Sequence, residues 1–188
     1  MKKLALLFAV MLMSTTFFAQ EHLDFRGVPI NGHVDSFIAK MEGLGYTLEE
    51  NSDGVAMMEG KFINKDVDLF IVYTPQTNTV WKVGVFFDKA TSWSSIKSDY
   101  REYKELYKKK YGEGKSYEFF SKPYYEGDGY ELQAVRKEKC RYTTFFECAT
   151  GNITVEISSS ERILISYEDG INVKLNRSEK TSSALDEI

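Results

Sequence analysis

Residues 93–112 read WSSIKSDYREYKELYKKKYG, and the rest of the chain is best read outward from them. Trp93, Ile96, Tyr100, Tyr103, Tyr107 and Tyr111 recur at three- and four-residue spacing, with Leu106 beside them. That is the stripe of an amphipathic helix, whose apolar side needs a sheet or another helix to cover it. Thr91 or Ser92 offers an N-cap and Gly112 a stop. Lys108, Lys109 and Lys110 fall in the last turn, where the helix dipole favours cations, and Glu105 can pair with Lys109 one turn on.

The flanking sequence supplies strands for this helix to cover. Downstream, Leu132 to Arg136 and Tyr142 to Cys148 read as extended, and Thr150-Gly151-Asn152 as a turn. Ile153, Val155 and Ile157 alternate with polar residues, and Ile163, Ile165 and Tyr167 follow. Asp169-Gly170 is a hairpin signal, with Ile171, Val173 and Leu175 predicting a strand beyond it or the continuation of one long kinked strand. Upstream, Val34, Phe37, Ile38 and Met41 mark a helix from about His33 to Glu42, stopped by Gly43 and Gly45. Val55 to Ile63, a turn at Asn64-Lys65, and the alternation Val67, Leu69, Ile71, Tyr73 predict two strands. After the turn Thr74 to Asn78, Trp81, Val83, Val85 and Phe87 make a third.

The order repeats. A helix, a glycine stop, an extended segment, a turn and alternating strands occur in about 25–89 and again in about 90–176, before a polar tail, 177–188. The expected fold is α+β: two pseudo-repeats forming one curved antiparallel sheet, with one apolar face covered by helices on that face alone.

The first nineteen residues are a separate matter. Lys2 and Lys3, the apolar run Leu4 to Met13, the polar break at Ser14 to Thr16 and the small Ala19 follow the layout of a cleavable secretory signal. This predicts residues 1–19 as signal peptide and 20–188 as a single domain, delivered to the periplasm or the exterior. Phe17 is bulkier than is usual there. No later segment is apolar enough to span a bilayer as a helix. The 43% hydrophobic and 28% charged fractions are those of a globular chain. Net charge is −4, which argues against a nucleic-acid partner. An extended chain between Cys140 and Cys148 would separate their Cα atoms by roughly 26 Å, far beyond the ~7 Å a disulfide spans. A turn near Cys140 would let them meet.

Candidate chemistry is sparse. His22 and His33 are the only histidines and carry no local catalytic signature. Glu49, Asn51, Asp53 and Gly54 mimic the start of a calcium loop, but Gly60 stands where its last carboxylate belongs, so an acidic turn is expected. Gly112-Glu113-Gly114 and Gly127-Asp128-Gly129 lack the third glycine or the Gly-Lys-Ser/Thr of a phosphate loop. No cofactor or metal is expected. The segment Tyr117 to Tyr130 is rich in aromatics, with Pro123, Gly127 and Gly129 interleaved, and reads as a shaped connector. Tyrosines on such a loop suit a protein or sugar partner. Tyr117, Tyr124, Tyr125 and Tyr130, together with Trp81, are therefore the candidate partner-binding residues, with packing beneath the loop as the competing role.

Several features carry a resemblance: the signal ending Phe18-Ala19-Gln20, the helix ending Lys110-Tyr111-Gly112, the Gly151-Asn152-Ile153 turn into a strand, and Ile165-Ser166-Tyr167-Glu168-Asp169. In these the chain resembles small exported proteins of Gram-negative bacteria and, in organisation, the beta-lactamase inhibitor protein family. The resemblance implies the twice-occurring helix-and-strands fold and a binding habit; the family's inhibitory contacts do not map onto residues here. The expectation is an exported, non-catalytic module that recognises a protein or cell-surface component. The alternatives are a hydrolase using Asp53, Glu126 or Asp128, and a structural envelope protein without a specific ligand.

Overall fold

The structure is a computed structural model that describes residues 21–187, so the expected signal segment lies outside the described residues. The protein is α+β, and the described residues form four helices, a two-stranded hairpin and an eight-stranded antiparallel sheet. The hairpin, β1 (Asp24–Phe25) and β2 (Val28–Pro29), leads into α1 (Val34–Gly43). Four strands follow: β3 (Thr47–Ser52), β4 (Val55–Phe62), β5 (Lys65–Tyr73) and β6 (Val80–Phe87). Then come α2 (Trp93–Tyr111), β7 (Lys115–Phe120), α3 (Glu131–Arg136), β8 (Cys140–Cys148), β9 (Gly151–Ile157), β10 (Ile163–Asp169) and α4 (Asn172–Asp186). The strand order is β3-β4-β5-β6-β10-β9-β8-β7, every neighbour antiparallel. No helix among the described residues is long and apolar enough to cross a membrane.

Helix α2 forms as its spacing predicts. Ser92 Oγ caps it by accepting from the Ser95 amide, and Gly112 ends it at φ +86°. Its buried stripe lies on one face of the sheet. Tyr103 stacks on Phe87 at 4.5 Å between centroids, Tyr100 meets Tyr142 edge-on, and Tyr107 contacts Phe146 and Tyr167. The cross-strand row Met58, Leu69, Val85, Ile165, Val155, Thr144 runs through this buried face. Phe25 of the N-terminal hairpin packs on Phe62 and Tyr167, so the hairpin shares this side.

Four sequence expectations are corrected. Leu132 to Arg136 lies within helix α3, not a strand, because β7 pairs directly with β8 and leaves no place between them. Six residues are too few for periodicity to decide. Ile171 to Leu175 belongs to the start of α4. The buried Asp169 carboxylate accepts from the amides of Ile171 and Asn172, which turns the chain out of β10. Asn172 Nδ2 then donates to the Ile30 and Val80 carbonyls. The polar tail from Arg177 continues that helix to Asp186. Two turns shift by one residue: Ile63-Asn64, both at positive φ, joins β4 to β5, and Gly151 is already in β9. Strand β3, wholly exposed at one edge, has no apolar alternation to announce it.

Candidate functional site

The strand residues of opposite parity form the second face of the sheet, and the register lays them out in rows. One row runs Tyr117, Thr143, Glu156, Leu164, Phe86, Asp68 across six strands. The next runs Phe145, Thr154, Ser166, Gly84, Phe70, Met57. The large apolar members, Tyr117, Phe145, Leu164, Phe86, Phe70 and Met57, are half-buried and not covered as their counterparts on the core face are. Thr154, Ser166 and Gly84 form a band of small residues between Phe145 and Phe70, with Ser166 and Gly84 buried among their larger neighbours. Two ion pairs frame it, Lys82 with Glu168 at 2.9 Å and Arg162 with Asp68 at 2.6 Å. Arg162 lies over the Phe86 ring at 5.3 Å, and Phe86 meets Phe70 edge-on.

At one side of this face, an open depression of about 610 Å³ lies between Phe86, Leu164, Glu156, Thr143 and the end of α3 at Val135 and Glu138, with Ser158, Ser159 and Ser160 on its rim. Burial pushes the Glu156 carboxyl above its ordinary range, against the pull of Lys82, the Thr143 hydroxyl and Arg141. Neither cation is free to pair with it closely: Lys82 is committed to Glu168, and the Arg141 guanidinium lies 5.0 Å over the Tyr117 ring.

The five residues singled out from sequence fall in four places. Tyr117 is on the open face, half-buried, edge-on to Phe145 and between Lys115 and Arg141. Its segment is an edge strand, so the first third of the expected connector is not a loop. Tyr125 and Tyr130 stand 64% and 61% exposed on the loop that follows. Asp128 ties that loop, accepting from the Tyr125 amide at 3.0 Å and the Tyr130 amide at 2.7 Å. Tyr124 packs against the core and its hydroxyl accepts from Gln133. Trp81 leaves the row of Val83, Val85 and Phe87, because pairing passes from Lys82 to Val80 and the bulge takes up one residue. It is half-exposed beside Lys82, on a strand separated from β7 by β10, β9 and β8.

The carboxylates named for a hydrolase are not brought together. Asp53 is exposed in the β3–β4 turn, at the far edge of the sheet from β7. Seven strand spacings of ~4.8 Å put these edges roughly 34 Å apart. Glu126 is paired with Lys97, whose hydrogen bond holds its carboxyl below the ordinary range, and Lys97 itself lies over Trp93 and Tyr142. Asp128 is spent on its own loop. His33 is the N-cap of α1, its Nδ1 accepting from Asp35. His22 sits 3.1 Å from the buried Asp169, with Asn31 on its other nitrogen. Cys140 and Cys148 end the same strand and are free, and burial pushes the Cys140 thiol up to about 12. Among the described residues, no three His, Cys, Asp or Glu side chains converge as a metal site.

Sequence reading missed Phe70, Phe86, Phe145 and Leu164. Their signal was parity: each is a large apolar residue at a position the alternation assigns to the outward face. Comparison with family models, curated proteins and solved structures yields no match to this chain.

Proposed function

We propose that this chain is an exported, non-catalytic binding module that recognises a protein or cell-surface component through the second face of its sheet. The observation that carries the reading is the pair of cross-strand rows from Tyr117 to Phe70, half-exposed aromatic and aliphatic side chains around the small residues Thr154, Ser166 and Gly84. Contiguous apolar surface rimmed by charge is what interaction sites present. The exposed Tyr125 and Tyr130, on the loop after β7, are a separate candidate contact. On this reading the fold is two pseudo-repeats. The strand run β3-β4-β5-β6 is mirrored by β7-β8-β9-β10, and the two meet at β6 and β10. With α1 and α2 on the covered side, this is the twice-occurring helix-and-strands organisation expected from the sequence.

The test uses the chain Gln20–Ile188 as bait in envelope extracts, beside Thr154→Arg and a Tyr125→Ala/Tyr130→Ala double variant. Thr154 is half-exposed, so the arginine projects from this face while the strand keeps its pairing. A partner held by the parent and lost with Thr154→Arg supports the face as its site. Loss only with the tyrosine pair moves the site to the loop. Equal retention by all three baits overturns both assignments.

A further inference from the structure

On the covered side of the sheet, the N-terminal hairpin and the C-terminal half of α2 enclose a cleft of about 310 Å³. This is at the lower end of the range of small-molecule sites, ~300–1,000 Å³. Its walls are Phe62, Tyr107, Tyr111 and Tyr167, with the Tyr107 and Tyr167 hydroxyls bonded to each other. Burial keeps both phenols protonated, so this part of the lining is neutral. Ile63 and Leu106 stand at the mouth, 39% and 43% exposed, as large apolar side chains that burial in the core does not explain. Arg26 and Lys110 line the same mouth with one carboxylate, Asp24; Arg26 makes long hydrogen bonds to the Lys61 carbonyl and the Tyr46 hydroxyl, at 3.3 and 3.4 Å, and Lys110 lies 5.0 Å over the Tyr111 ring.

Ile63 is also conformationally out of place. It occupies the first position of the two-residue β4–β5 turn at φ +50°, where the ordinary choice is Asn, Asp or Gly. A β-branched residue in the left-handed region is strained, and such strain collects at functional positions. Asn64, at the next position, has φ +60° and is suited to it.

We infer that this cleft binds an amphiphilic carboxylate, its apolar chain lying between Ile63, Leu106 and the tyrosines and its acidic head at Arg26 and Lys110. Ile63 is retained in a strained turn because its side chain forms one lip of the site. The inference concerns the opposite side of the sheet from the proposed partner face and does not depend on it.

Calorimetric titration of the chain Gln20–Ile188 with decanoate, below its micelle concentration, tests this, with decylamine as the control of opposite charge. Decanoate is expected to bind saturably at one site and at least tenfold more tightly than decylamine. Lys110→Gln is expected to reduce that preference. Ile63→Asn relieves the turn, so it is expected to raise the thermal midpoint while weakening decanoate at least tenfold. Binding that does not saturate, equal affinity for decylamine, or an Ile63→Asn protein with unchanged affinity would each overturn the inference.

Discussion

Gly151 opens β9 against the far end of β10, where a Cβ would drive into the carbonyl oxygen of Glu168. That oxygen belongs to a strand paired on both sides, by β6 and β9, so it has no room to retreat. Gly151→Ala is expected to cost ~2–3 kcal/mol, as overpacking does in a rigid site. The check is a lower urea midpoint at unchanged slope. Glu156 makes the complementary case, a side chain whose charge is unwelcome. Its carboxyl is raised by burial, so the folded state holds its proton more tightly than the unfolded chain does. Stability is then full below the ordinary carboxylate value and declines as pH climbs through the raised one. Glu156→Gln is expected to raise the thermal midpoint at pH 7 and leave it unchanged at pH 3. An equal gain at both would point to packing and not to charge.

At the scale of an element, α4 shows how a polar helix is held. Its buried side chains are Asn172, Asn176 and Glu179, with no apolar stripe among them. Glu179 accepts from the Gln76 amide at 2.7 Å, the Thr77 amide at 3.2 Å and the Thr77 hydroxyl at 2.6 Å, which docks the helix on the β5–β6 turn. Burial alone would push this carboxyl up, but those hydrogen bonds outweigh it and hold it below its ordinary value. The stability it contributes is present above the ordinary carboxylate range and is lost as pH falls through the lowered value. Glu179→Ala is expected to cost about 1.5–3 kcal/mol at neutral pH, the worth of hydrogen bonds to a charged group. Amide exchange should then quicken at Gln76 and Thr77 and leave the β9–β10 ladder unaffected.

For the whole molecule, the joint between β6 and β10 is the decisive contact, five paired residues from Leu164↔Phe86 to Glu168↔Lys82. Separating the two sets of four strands would expose two long apolar strand edges, which favours one cooperative unit. Trp81 and Trp93 report on opposite sides of that joint. Trp81→Phe and Trp93→Phe single-tryptophan variants are expected to show coincident urea transitions, and a biphasic pair would mean the halves unfold separately. Much of this architecture was legible beforehand. Local periodicity determined α1, α2 and the six apolar strands, because a helix stripe and a strand alternation are each written within a few residues. Glycine and serine caps determined the ends of α2 for the same reason. The identities of α3 and α4 were decided by tertiary structure: neighbouring strands left no ladder position for Leu132–Arg136, and Asp169 and Asn172 found partners 92 to 146 residues away. The open face was likewise half-written. Its residues were visible as apolar side chains out of parity, but only the register across six strands assembled Tyr117, Leu164, Phe86 and Phe70 into one surface, since cross-strand neighbours are set by pairing and not by sequence.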